Sequence, residues 1–260
     1  MNRNRITINA RILAERAREV IKLTRRSFDL GPALQDWRQA YRNRRNRNAI
    51  FMWVPKTAGY SVFHVLDQFG AQKLTDYSLI ERYFENHGIV TFGHISVRHL
   101  REAGHISEEF WQSAWKFAFV RNPYGRAVSL FKYLKLIEVL PASTTFKIFC
   151  SYLEERAFEP VGLHNVSGLS MLNPQVAWLT NQNGALLPDF ISKVKDADAG
   201  YEKIVDELGL TEAPSKLPRE NASRDPFSAS YYNDETRAIV AEVYQQDFET
   251  FGFDPAVMPD

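Results

Sequence analysis

Residues 49–54, Ala-Ile-Phe-Met-Trp-Val, form an unbroken apolar run. An alternating strand needs cover on one face only. A continuous run needs it on both, which is the situation of a central strand in a parallel sheet flanked by helices. The run ends in the tight loop Pro55-Lys56-Thr57-Ala58, and from Gly59 the apolar residues Val62, Val65, Leu66 and Phe69 recur at helical spacing, with Gly70 suited to the helix end. At a strand–loop–helix junction of this kind, the unpaired N–H groups of the first helical turn and the positive end of the helix dipole meet at one point. That point favours a bound anion.

The alternation continues down the chain. Residues 89–92 and 115–120 read as further buried strands, 96–103 and 107–113 as short helices, and Asn122-Pro123 as the cap and first residue of a helix to about 137. The stretch 140–185 is rich in Pro and Gly and reads as loops with short helices. Residues 189–191 read as a short strand, 199–208 as a helix and 234–249 as a last helix with Val240, Tyr244, Asp247 and Phe251 on one face. Strands alternating with helices predict an α/β fold: three layers, with a central, mainly parallel sheet between helices.

The amino-terminal part differs. Residues 1–48 hold 13 Lys/Arg against 4 Asp/Glu, whereas the whole chain of 260 residues has a net charge of only +1. Residues 8–23 and 32–41 carry helical patterns, and Arg42 to Asn48 reads as a polar basic linker. The expected division is a basic helical extension, 1–48, and the α/β domain, 49–260. The extension is either a solvated appendage or a contact for a membrane surface, an acidic acceptor or a partner subunit. Cys150 stands alone, so no intrachain disulfide forms, and no apolar run reaches the roughly 18 residues of a membrane span. A cytoplasmic protein is expected, and the near-neutral balance gives no reason to expect a nucleic-acid partner.

A second basic junction follows the strand at 115–120: Arg121-Asn122-Pro123-Tyr124-Gly125-Arg126-Ala127-Val128-Ser129. Two anion sites at two strand ends point to a ligand with two separate phosphate groups. The first loop lacks the Gly-x-x-x-x-Gly-Lys-Ser/Thr spacing of a magnesium–nucleotide loop, so an ATP-dependent phosphotransferase is the weaker alternative.

Together, Pro55-Lys56-Thr57-Ala58-Gly59-Tyr60-Ser61 and the Arg121…Ser129 pair resemble the two phosphate motifs of the sulfotransferases. The resemblance extends over 49–253 through Asn173-Pro174-Gln175, Leu217-Pro218-Arg219-Glu220-Asn221 and the tail Tyr244-x-x-Asp247-Phe248-x-x-Phe251-Gly252. It is nearest to the carbohydrate sulfotransferases of the chondroitin, dermatan and heparan 2-O branches and their bacterial relatives. It implies transfer of a sulfo group from 3′-phosphoadenosine 5′-phosphosulfate (PAPS) to a hydroxyl of a carbohydrate or other acceptor, without a metal. By the same resemblance Lys56, Thr57, Ala58, Gly59, Tyr60 and Ser61 hold the 5′-phosphosulfate, and Arg121 and Ser129 hold the 3′-phosphate. The segment 189–195, Asp-Phe-Ile-Ser-Lys-Val-Lys, departs from the family pattern by keeping a cation and losing a glutamate.

Transfer to a hydroxyl calls for a general base near neutral pH, and histidine is the residue type suited to it. Of His64, His87, His94, His99, His105 and His164, His94 is the choice, because it ends a parallel strand, where ligands bind in open α/β sheets. A Gly-His here also resembles the base motif of heparan 2-O-sulfotransferase-like enzymes. His99 is the second choice, and His64 is expected away from the chemistry. Arg126 is expected to pair with a carboxylate or the acceptor. Arg219 and Asn221 are either nucleotide contacts or loop scaffolding, and Trp178 is either core or a platform for a sugar ring. A non-catalytic glycan or membrane binder acting through residues 1–48 is the remaining alternative.

Overall fold

The computed structural model describes residues 43–158, 169–218 and 229–259. The helices expected at 8–23 and 32–41, together with His164, Arg219 and Asn221, lie outside the described residues.

The strands are β1 (Ala49–Met52), β2 (Gln72–Lys73), β3 (Ile89–Thr91), β4 (Trp115–Val120) and β5 (Phe190–Lys193). They form one sheet, ordered β2-β3-β1-β4-β5, with every pairing parallel. The chain leaves β1 towards the β2 side and leaves β4 towards the β5 side. Those neighbouring strands therefore flank the point where the winding reverses, and at such a point a crevice opens beyond the carboxyl ends. The Lys56 and Arg121 loops are the two walls of that crevice.

The helices are α1 (Gly59–Gln68), α2 (Tyr77–Tyr83), α3 (Val97–Glu102), α4 (Glu108–Ser113), α5 (Pro123–Leu136), α6 (Phe146–Arg156), α7 (Gln175–Leu179), α8 (Ala197–Leu208), α9 (Asp234–Val243) and α10 (Gln245–Phe251). The strands divide their side chains between two cores. Ile50, Met52, Val90, Ala118 and Val120 face α2, α3, α4 and α7, while Phe51, Ile89, Phe117 and Phe119 face α1 and α8. Burying each such phenylalanine stabilises the fold by roughly 1.5–3 kcal/mol. A third apolar body joins α5, α6, α9 and α10 around Tyr124, Phe131, Phe149 and Tyr244.

Three departures from the sequence reading have physical causes. Residues 43–48 are seated on the domain and are no free linker. Asn43 is buried, its Nδ2 donates to the Ile89 carbonyl at 3.1 Å and its Oδ1 accepts from the Ile89 amide at 2.8 Å. Asn48 Oδ1 accepts from Gly88 N–H at 2.8 Å, and Arg44 pairs with Glu85. These amide side chains act as neighbours for the β3 backbone at its amino end. Next, α6 is a full helix inside the stretch read as loop-rich. Finally, the last helix breaks at Tyr244, whose hydroxyl donates to the Leu172 carbonyl at 2.9 Å.

Candidate active site

The loop after β1 holds two non-glycine residues in the left-handed region, Lys56 (φ 69°) and Ala58 (φ 62°). Backbone of this kind is strained, and such strain gathers at ligand-binding loops. Arg126 over-determines it from below. This arginine is fully buried on α5, and its Nε donates to the Pro55 carbonyl at 3.2 Å, while Nη2 donates to the carbonyls of Met171 (2.8 Å) and Asn173 (3.0 Å). No direct carboxylate pair forms among the described residues; three main-chain oxygens hold the guanidinium, the buried Asp247 acts on it by charge, and Arg126 is a scaffold for the loop.

Ala58 is the N-cap of α1 and supplies no capping side chain, whereas Asp76, Ser96, Ser107, Asn122, Thr145 and Asn233 all cap their helices. Ser61 and Val62 turn their amides to the Ala58 carbonyl, so the Gly59 and Tyr60 amides are the ones left to whatever fills the loop. Thr57 is buried and spends its hydroxyl proton on the Val54 carbonyl at 2.9 Å, so it braces the loop. Ser61 is buried with its amide on the Ala58 carbonyl, and Tyr60 is half exposed. Gly59 is required by contact: a Cβ there would stand 1.9 Å from Nε1 of Trp53.

Lys56 lies half-buried with its Nζ 4.2 Å from the centre of the Tyr133 ring. Arg121 lies at the head of α5, and a Cβ on Gly125 would be 3.2 Å from its Nε. Gly125, Ser129 and Tyr133 are successive i, i+4 positions on one helical face. Ser129, also half-buried, therefore stands between the guanidinium and the ammonium. Burial, and then the charge of Arg121, pull the Lys56 ammonium down to about 8; burial likewise lowers Arg121. Among the described residues, no carboxylate pairs with either cation. Two convergent, partly desolvated positive charges repel one another unless an anion lies between them.

His94 follows β3, on the β1 side of the crevice, packed against Trp53. Its Nδ1 is 3.4 Å from the Trp53 carbonyl, and its ring meets the Trp53 and Trp178 rings edge-on, at 5.5 and 6.3 Å between centres. A carbonyl can only accept, so this long hydrogen bond needs the proton on Nδ1 and leaves Nε2 as the basic nitrogen. His99 is exposed on α3 with its ring 6.3 Å from Tyr77, and His64 is exposed on α1. Trp178 is buried within the sheet core, which rules it out as an open platform for a sugar ring. Lys193, the cation kept in the divergent 189–195 segment, donates to the Gly252 carbonyl at 3.0 Å and lies over the Phe253 ring.

A model of the sulfotransferase family matches residues 39–254. The chain belongs to the sulfotransferase family. No curated protein matches this sulfotransferase. A solved structure of mouse sulfotransferase SULT7A1 complexed with PAP is similar to it at 15% identity and a TM-score of 0.40. The similarity covers 78% of this chain and 66% of that one, just under two thirds of its length. The family match begins at residue 39, within the segment read as a separate extension and ahead of the Asn43–Asn48 contacts that tie this sulfotransferase together at the amino end of its sheet.

The sequence reading missed Gln175. Its side-chain amide holds both main-chain groups of Arg121: Oε1 accepts from the Arg121 amide and Nε2 donates to the Arg121 carbonyl, each at 2.8 Å. The available signal was the Asn173-Pro174-Gln175 motif, which was noted without a role.

Proposed function

We propose that this sulfotransferase moves the sulfo group of PAPS to a hydroxyl of a carbohydrate acceptor. The observation that carries the donor part is the pair Lys56 and Arg121, two cations with no carboxylate partner among the described residues, at neighbouring strand ends and joined by one face of α5. A nucleotide with phosphates at both its 3′ and 5′ positions supplies two separated anions for them. The uncapped start of α1 and the left-handed backbone at Lys56 and Ala58 suit the 5′-phosphosulfate end, and Arg121 with Ser129 suits the 3′-phosphate.

In the reaction the acceptor oxygen attacks sulfur as the bond between sulfur and the bridging phosphate oxygen breaks, leaving adenosine 3′,5′-bisphosphate. His94 Nε2 takes the acceptor proton. The negative charge that grows on the departing phosphate falls against Lys56, and a fixed donor at such a point stabilises the transition state. The carbohydrate assignment rests on the resemblance of 49–253 to the carbohydrate branch. The reading also includes a cytoplasmic enzyme, supported by its single thiol, with the basic residues 1–48 meeting an anionic surface or a partner. No described helix is long and apolar enough to cross a membrane.

The test is incubation with sulfur-labelled PAPS and a panel of glycans, tyrosine peptides and small hydroxyl compounds. Label is expected on a glycan, with Lys56→Ala and Arg121→Ala each lowering turnover by about 10²–10³. Label on a peptide or small alcohol alone overturns the acceptor class. Absence of transfer to every acceptor, with equal binding of AMP and adenosine 3′,5′-bisphosphate, overturns the donor reading.

A further inference from the structure

Arg121 is the first residue beyond the β4 ladder, which closes at the Val120–Lys193 pair. Its amide and carbonyl have left the sheet but remain partly buried, so they need partners. The primary amide of Gln175 supplies both, much as a neighbouring strand residue would, and Gln175 is itself fully buried. A side chain with three rotatable bonds serves this role only if it is held. The holder is Asp247, also fully buried: its Oδ2 accepts from the Gln175 amide at 2.9 Å and from Gln175 Nε2 at 3.2 Å, and its Oδ1 accepts from the Val176 amide at 2.9 Å. The carboxylate thereby caps α7, whose own N-cap residue, Pro174, has no side-chain donor or acceptor to offer. Around it, Tyr244 holds the Leu172 carbonyl and Arg126 holds the carbonyls of Met171 and Asn173. Two motifs distant in sequence, Asn173-Pro174-Gln175 and Tyr244-x-x-Asp247, are thus one hydrogen-bonded unit, and its output is the main-chain position of Arg121.

We propose that Gln175 is a positioning residue for recognition of the 3′-phosphate, and that Asp247 acts through it; neither touches the ligand. The inference rests on the donor-site reading above. Arg121 engages the 3′-phosphate by a guanidinium whose reach is set from the main chain, and a displacement of a few tenths of an ångström weakens a charge-assisted hydrogen bond directionally. Losing Gln175 therefore acts on one end of the ligand. The 5′ end is held by the Lys56 loop, which Arg126 fixes through its Nε contact to the Pro55 carbonyl, a contact that Gln175 does not make.

The experiment is calorimetric titration of adenosine 3′,5′-bisphosphate and of AMP into the full chain and into Gln175→Met, Gln175→Glu and Asp247→Asn. Gln175→Met keeps length and volume but neither hydrogen bond. Gln175→Glu keeps the acceptor for the Arg121 amide and sets an oxygen against its carbonyl. Expected is a drop of about 10-fold in bisphosphate affinity for Gln175→Met, with AMP affinity changed less than about 2-fold, since two hydrogen bonds position the arginine. Asp247→Asn, which preserves shape and one acceptor, follows in the same direction with a smaller drop, and keeps the test decisive should the Met variant not fold. Equal loss for both nucleotides, or an unchanged ratio in folded variants, overturns the inference while the donor reading stands. Equal affinity for both nucleotides in the unaltered chain overturns the donor reading, and this inference with it.

Discussion

Lys56 places its ammonium 4.2 Å above the ring of Tyr133, two turns along the same face of α5 from Gly125, over which Arg121 lies. The aromatic face partly offsets the lost hydration of the ammonium, yet burial and Arg121 still bring Lys56 down from 10.5 to about 8. The ligand-free fold thus weakens the charged form of the lysine, which still prevails at neutral pH, and a bound phosphate strengthens it. Two opposite pH trends follow. Without ligand the unfolded chain holds the extra proton between pH 8 and 10.5, so this group's contribution to stability rises with pH across that window and is lost as pH falls through 8. Bisphosphate affinity is expected to do the reverse, weakening above pH 8. Thermal melts and titrations from pH 7 to 10.5, repeated on Lys56→Met, check both. Persistence of either inflection in that variant assigns the titration to another group.

Arg126 tests the scaffold. Three main-chain oxygens from two separated segments depend on it, and Arg126→Met leaves them buried without a donor. A destabilisation of about 3–5 kcal/mol is expected, the range for stripping a buried charged group from its hydrogen-bonded partners. Denaturant midpoints measure it. A loss below about 1 kcal/mol would show that water replaces the guanidinium and that the Pro55 carbonyl does not need it.

What could be read in the sequence follows from where the information is local. The apolar run at 49–54 and the capped start at Asn122-Pro123 declare themselves within a few residues, and β1, α1, β4 and α5 appear where expected. β2 has two residues and no period to read. α6 did carry a signal, Phe146, Phe149, Cys150 and Leu153 at helical spacing and all buried, but the prolines at 141 and 160 drew attention to loops. In the site, the loop residues Lys56 and Arg121 converge on the face of α5 that carries Ser129 and Tyr133, and His94 follows β3 beside the Lys56 loop. The partners of Arg126, Thr57 and Gln175 were hidden because they are main-chain oxygens and amides, whose places depend on the folded chain and not on residue type.

Gly59 is held by the Trp53 indole. An added methyl at 1.9 Å from Nε1 must displace the ring or the start of α1. The same indole meets His94 edge-on and carries Lys73 Nζ 4.6 Å from its centre. Gly59→Ala is expected to destabilise by about 1–3 kcal/mol, as overpacking commonly does, and to lower turnover more than bisphosphate affinity, because His94 moves with the ring. Steady-state assays beside calorimetry separate the two effects; equal changes in both would place the damage in the loop alone.

His94 is the sharpest test of the chemistry. If Nδ1–H stays on the Trp53 carbonyl and Nε2 accepts the acceptor proton, His94→Gln keeps a polar side chain near the carbonyl and loses the base. Turnover is expected to fall by about 10²–10⁴, the usual contribution of a positioned general base, with bisphosphate affinity within about 2-fold of the unaltered protein. The acid limb of the pH–rate profile, set by protonation of this imidazole, should vanish in the variant. A retained acid limb with reduced turnover would mean that another group takes the proton and that His94 serves to hold Trp53. His99→Gln, which alters an exposed ring on α3, serves as the matched control and is expected to leave both the profile and turnover unchanged.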